Sequence, residues 1–133
     1  MNILILDAQG GGIGRALVAA VRQSIPAAEI TAVGANSAAT AAMLKAGAHH
    51  AATGENAAIV GCRTADVIAG PIGIVIADSL YGEITPAIAA AVGQSRAKRV
   101  LIPVNQCGNL VVGVKDKTLA ALVQEAVELI RSF

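Results

Sequence analysis

The sequence predicts an α/β fold in which a mainly parallel sheet is covered by helices on both faces. Three observations predict it. Apolar runs of strand length alternate along the chain with segments whose apolar residues recur at helical spacing. The first run, Ile3-Leu4-Ile5-Leu6, shows no polar alternation, as expected of a strand buried on both faces. A glycine-rich turn, Gly10 to Gly14, joins that run to the first helical stripe. Right-handed crossovers then leave few topologies. The reading is one three-layer, Rossmann-like domain over residues 1–133, with about five or six strands in the order 3-2-1-4-5.

Each element has its own warrant. Asn2 to Leu6 is the first strand. Ile13, Ala16, Leu17, Ala20 and Val21 form one helical stripe, which Pro26 stops. Ile30 to Val33 is the second strand, and Asn36 or Ser37 caps the helix after it. That helix turns Ala39, Ala42, Met43 and Ala46 inward and ends at Gly47. His49 to Ala52 is a weak third strand, followed by a short helix from the Thr53–Asn56 segment to about Cys62. Val67 to Ala69 is the fourth strand, ending at Gly70-Pro71. Ile72 to Leu80 fits a strand or a helix, and Pro71 with Gly73 favours a short helix after a loop. Thr85-Pro86 opens a helix as N-cap and N1, closing near Gly93. Arg99 to Ile102 is the fifth strand and Leu110 to Val114 a sixth, at the edge. Asp116 caps the last helix, whose stripe is Leu119, Leu122, Val123, Ala126 and Ile130.

Composition narrows the function classes. Hydrophobic residues make up 55% and charged ones 14%, the opposite of a disordered segment. A net charge of +1 offers no electrostatic footprint for nucleic acid or anionic membrane. The longest apolar stretch, Val67 to Ala77, is interrupted by Gly70, Pro71 and Gly73, and a membrane span needs ~20 apolar residues. Cys62 and Cys107 show no CxxC spacing, so free thiols and a cytoplasmic location are expected. One Tyr, one Phe and no Trp leave the core to Ala, Val, Ile and Leu. Apolar residues in excess of what so small a monomer buries lead us to expect a homodimer or larger homo-oligomer.

The strongest chemical signal is the turn Asp7-Ala8-Gln9-Gly10-Gly11-Gly12-Ile13-Gly14-Arg15-Ala16. It follows a strand and opens a helix, the context in which glycines let a backbone approach a phosphate and helix-start N–H groups point at it. The spacing is not GxGxxG, because Arg15 stands where the third glycine belongs. Gly12-Ile13-Gly14-Arg15-Ala16-Leu17 looks like the GxxxGxG words of short-chain dehydrogenases, with Ala8 at the first glycine, but the YxxxK catalytic pair is absent: Thr85 stands four residues after Tyr81. A purely structural tight turn is the competing reading. Gly14, just inside the helix, is expected to let helix and sheet pack closely.

The expected site gathers at the switch point of the sheet. Gly10, Gly11, Gly12, Ile13 and Gly14 hold the phosphate, and Asn36 or Ser37 stands where a dinucleotide site usually carries a ribose-binding acid. Gly70, Pro71 and Asn105 border the same crevice. NAD(P) or another nucleotide is the expected cofactor class, and a small phosphorylated ligand the expected partner. No catalytic residue is assigned, and whether a reaction occurs stays open. Asp78, Glu83, Asn105 and Cys107 are the groups catalysis would draw on, with Asp78 and Glu83 read as a carboxylate pair or as surface acids and a helix cap. Cys107, in a loop, is expected to react faster than Cys62. His49 and His50 point to opposite faces of a strand, so no metal site is expected. Arg96, Lys98 and Arg99 read as a solvated surface at the far end of the sheet.

Several longer words run through the whole chain: Gly10-Gly11-Gly12-Ile13-Gly14, Ala42-Met43-Leu44-Lys45-Ala46-Gly47-Ala48, Ala52-Thr53-Gly54-Glu55-Asn56, Gly70-Pro71-Ile72-Gly73-Ile74, Gly82-Glu83-Ile84-Thr85-Pro86-Ala87 and Ile102-Pro103-Val104-Asn105. Together they resemble a family of small bacterial proteins known only as a domain of unknown function. The resemblance implies a stand-alone cytoplasmic bacterial protein and supplies no activity, substrate or catalytic residue. Ala8 departs from a glycine usual after the first-strand Asp. Three functions remain: a nucleotide-binding module, a non-catalytic interaction or scaffold protein with a structural glycine turn, and an enzyme on another phosphorylated metabolite.

Overall fold

The computed structural model describes residues 1–104 and 108–133. Strands β1 (Asn2–Asp7), β2 (Glu29–Gly34), β3 (His50–Thr53), β4 (Val67–Pro71) and β5 (Lys98–Ile102) alternate with helices α1 (Gly12–Ser24), α2 (Ser37–Lys45), α3 (Glu55–Thr64), α4 (Pro86–Gln94) and α5 (Leu119–Arg131). The sheet has five strands in the order β3-β2-β1-β4-β5. All its pairings are parallel, with Ile5 of β1 beside Ala32 of β2 and Ala69 of β4. The chain thus has the expected three-layer, Rossmann-like α/β architecture.

The layers follow from the pleat. Ile3 and Ile5 face one way, onto Leu17, Val18 and Val21 of α1, Met43 of α2 and Val127 and Ile130 of α5. Leu4 and Leu6 face the other way, onto Ala58 and Cys62 of α3 and Ile88 and Val92 of α4. Burial of each large aliphatic side chain stabilises by ~1.5–3 kcal/mol, so a core without Trp holds both faces. The starts of α2 and α4 are capped by side chains. The Asn36 and Thr85 side chains accept the amides of Ala39 and Ile88, with Pro86 in the first turn of α4.

Two expectations are corrected, and the short helix expected after β4 is present but narrower than its segment. Leu110 to Val114 forms no strand among the described residues. Its alternating apolar residues lack a sheet face to meet: Val112 is fully exposed, and the left-handed Gly108 (φ 81°) and Gly113 (φ 86°) break the extension. The segment after β4 makes only a short 3-10 turn, Ile72–Val75, because Ile76 returns to extended backbone. The cap of α5 is Thr118 and not Asp116: the Thr118 hydroxyl accepts the Ala121 amide at 3.1 Å, and the helix begins only at Leu119.

The far end of the sheet uses its polar residues structurally. His49 Nδ1 accepts the Ile30 amide at 3.0 Å, while His50 pairs with Glu29 at 2.8 Å, so the two rings serve different partners. The Arg99 guanidinium donates to the carbonyls of Ser95 and Ala97. Lys98 lies 4.6 Å from the Phe133 ring centre.

Candidate functional site

The order of the sheet reverses beside β1, whose neighbours are β2 and β4. At the carboxyl end of β1 the chain leaves Asp7 and turns through Ala8-Gln9-Gly10-Gly11 into α1. The turn is closed by the Gly11 amide donating to the Ala8 carbonyl at 3.0 Å. Gln9 (φ 54°) and Gly11 (φ 72°) are left-handed, whereas Ala8 is not, so the alanine there is unstrained.

The glycines divide into two kinds. A Cβ on Gly11 would lie 2.8 Å from Cα of Ala39, and one on Gly14 2.5 Å from the Met43 sulfur and 2.9 Å from Cβ of Asp7. A Cβ on Gly70 would collide with the Leu6 carbonyl. These three let α1 approach α2 and β1 approach β4. A Cβ on Gly10 or Gly12 would meet nothing within 4 Å, and neither is left-handed. Packing gives no reason for glycine at these two positions.

Asp7 and Glu83 dominate the electrostatics. The Asp7 side chain is buried and accepts the amides of Ala8 at 2.8 Å and Gly14 at 2.6 Å. Burial pushes its carboxyl above the usual range. The Gly14 and Ala8 hydrogen bonds oppose that shift, and the nearby Glu83 charge adds to it. Glu83 accepts the Gln9 amide with both oxygens, at 3.1 and 3.3 Å, and the Asn36 side-chain amide at 2.6 Å. Asn36 also donates to the Gln9 carbonyl at 2.9 Å while its Oδ1 caps α2. Asn36 thus uses one side-chain atom to cap α2 and the other to hold Glu83 and Gln9.

The remaining expected residues fall around this cluster. Ile13 packs its half-buried side chain on the α1 core, and Ser37 is exposed at the start of α2. Gly70 and Pro71 are buried at the end of β4, where they pack and present no surface. Asn105, with Gln106 and Cys107, lies outside the described residues. Asp78 is exposed and its side chain makes no hydrogen bond among the described residues, so the carboxylate that interacts with Glu83 is Asp7.

Two features were missed in the sequence. Arg15 sits exposed in the first turn of α1 with no ion pair among the described residues. A cation there opposes the helix dipole, and its position directly after the glycines was a readable signal. The other is the connection from Ile76 to Thr85, where Leu80 (φ 55°), Tyr81 (φ 57°) and Gly82 (φ 82°) are consecutively left-handed. The Asp78 amide donates to the Ile84 carbonyl at 2.7 Å and the Ile84 amide to the Ser79 carbonyl at 3.2 Å, closing a loop that delivers Glu83 to the glycine turn. Tyr81, at its tip, is 97% exposed.

The larger hollows lie elsewhere. One of about 460 Å³ opens between β5 and α5, lined by Ile102, Pro103, Leu122 and Leu129 with Arg99, Lys115 and Lys117 at its rim. Its cations are partly spent, since Arg99 serves backbone carbonyls and Lys117 pairs with Glu125 at 2.7 Å. The glycine turn lies outside that hollow. Its claim rests on convergent backbone and side-chain groups at the switch point rather than on enclosed volume. Among the described residues no three His, Cys, Asp or Glu side chains gather as a metal would need, and no helix is long and apolar enough to cross a membrane.

No curated protein and no solved structure matches the chain. One family model does, over residues 2–133, and its description is a domain of unknown function, DUF3842. With a match of that extent, this chain belongs to the DUF3842 family.

Proposed function

We propose that this protein binds a nucleotide or dinucleotide through its phosphates at the turn Gly10 to Gly14. The observation that carries the reading is the contrast among the glycines. Gly11 and Gly14 are needed for packing, but Gly10 and Gly12 front open space. Close approach of a ligand explains glycine at those two positions. The Asp7 carboxylate already accepts the Gly14 amide, which leaves the amides of Gly10 and Gly12 to meet an anion. Arg15 supplies the positive charge that the first turn otherwise has no use for. NAD(P) is the cofactor class this geometry favours. The proposal is one of binding, and it assigns no catalytic residue. Calorimetry with ADP, NAD and inorganic pyrophosphate tests it. Saturable binding in the micromolar range, lost in Gly12→Val, is expected, and absence of binding by all three would refute it.

A second reading, a self-associating interaction module, is favoured by a separate observation. Leu110, Val112, Val114, Leu119, Leu129 and Phe133 are exposed within the last stretch of the chain. Such a concentration of apolar surface is what a second copy would cover. Light scattering is expected to give at least a dimer. A mass near 13.2 kDa at micromolar concentration would exclude it.

A further inference from the structure

We infer that Glu83 reads the ribose of the bound nucleotide, so that the ligand class is a nucleotide with a free 2′,3′-diol and not a 2′-phosphorylated one. The inference rests on the nucleotide reading above and sharpens it. In parallel sheets that bind dinucleotides, an acid at the end of the second strand accepts hydrogen bonds from the ribose hydroxyls. Here β2 ends at Gly34 and runs through Ala35 into Asn36, with no acid. From that alone the ribose position is uncharged and would tolerate a 2′-phosphate.

The tertiary structure changes the charge of that position. Glu83 enters from the other side of the switch point, on the connection between β4 and α4, and places Oε2 2.6 Å from Nδ2 of Asn36. Both its oxygens also meet the Gln9 amide, immediately before the open Gly10. A carboxylate therefore stands between the end of β2 and the start of the phosphate turn, the interval a ribose spans. Glu83 is half-buried, so a ligand reaches it. Each carboxylate oxygen has two acceptor sites, and the protein donors leave Oε1 one to spare for a hydroxyl. A phosphate ester on that sugar would face the Glu83 carboxylate, and no basic side chain is among its hydrogen-bond partners.

Calorimetry of NAD and NADP, which differ by the 2′-phosphate alone, tests the assignment on wild-type protein and Glu83→Gln. The glutamine keeps an acceptor for Gln9 and Asn36 and removes the charge, and its melting temperature reports folding. Should it fail to fold, Glu83→Asp, which withdraws the carboxylate by one methylene, takes its place. The wild type is expected to bind NAD at least tenfold more tightly than NADP, and the variant to bring the two within about threefold. Equal or tighter NADP binding by the wild type would overturn the role of Glu83 while leaving the phosphate turn standing. A preference unchanged in the variant would do the same. Failure of both dinucleotides to bind the wild type would remove the nucleotide reading, and this inference with it.

Discussion

The two loops that flank the switch point are built in opposite ways. The β1–α1 turn is short and its shape is local: left-handed Gln9 and Gly11, one closing hydrogen bond, and glycines where α2 comes close. The β4–α4 connection is longer and holds three consecutive left-handed residues, two of which are not glycine. Such backbone costs of order 1–3 kcal/mol per residue and persists only where other contacts over-determine it. What they teach together is that the turn offers amides while the connection offers a carboxylate, and Glu83 ties one to the other.

The largest expected effect separates the two kinds of glycine in the turn. Gly14→Val should destabilise by about 3 kcal/mol or more, because its side chain would overlap the Met43 sulfur and Asp7. Gly12→Val, facing open space in the first turn of α1, should cost about 0.5 kcal/mol or less. Urea denaturation of both variants checks the contrast, and equal losses would erase it. In ligand binding the order reverses. Gly12→Val should lose about a hundredfold or more in nucleotide affinity by calorimetry, since two charge-assisted hydrogen bonds are worth ~1.5–3 kcal/mol each. An unchanged affinity in the folded variant would show that the anion sits elsewhere.

Tyr81→Gly probes the other loop. Tyr81 is almost wholly exposed and left-handed, so glycine there should relieve strain and stabilise by about 1 kcal/mol. A loss of stability would mean that the tyrosine ring makes a contact its exposure does not indicate.

A smaller effect concerns Asp7. Burial raises its carboxyl affinity for protons in the folded state. The folded state then binds more protons than the unfolded one between the two values. Stability present below the ordinary carboxylate range is lost as pH rises through that range towards the raised value. Asp7→Asn should abolish this part of the pH dependence. A wild-type stability that climbs with pH in that window, by a margin the asparagine variant removes, would reverse the sign and refute burial as the cause.

Much of this architecture is legible in the residues. The strand order, the caps at Asn36 and Thr85-Pro86, and the packing role of Gly14 follow from periodicity and local chemistry. The glycine turn was visible for the same reason. The missed parts depend on neighbours. Leu110 to Val114 carries a strand-like alternation, but among the described residues it pairs with no strand. Thr118 and Asp116 are both good caps, and because the helix begins at Leu119 it is the Thr118 hydroxyl that meets the Ala121 amide.

By itself, then, the sequence determined a parallel sheet with helices on both faces, and a glycine turn at the carboxyl end of its first strand. Hydrophobic period and turn chemistry act over a few residues and are written in order along the chain. Only the tertiary structure decided which glycines pack and which face open space. It also decided that Glu83, and not a residue of β2, brings a carboxylate to the Asn36 side chain just past the end of β2, and that Asp7 rather than Asp78 interacts with it. Those outcomes depend on distances between segments far apart in the chain. Such distances are settled when the two faces of the sheet bury their aliphatic side chains and draw the β1 and β4 loops together.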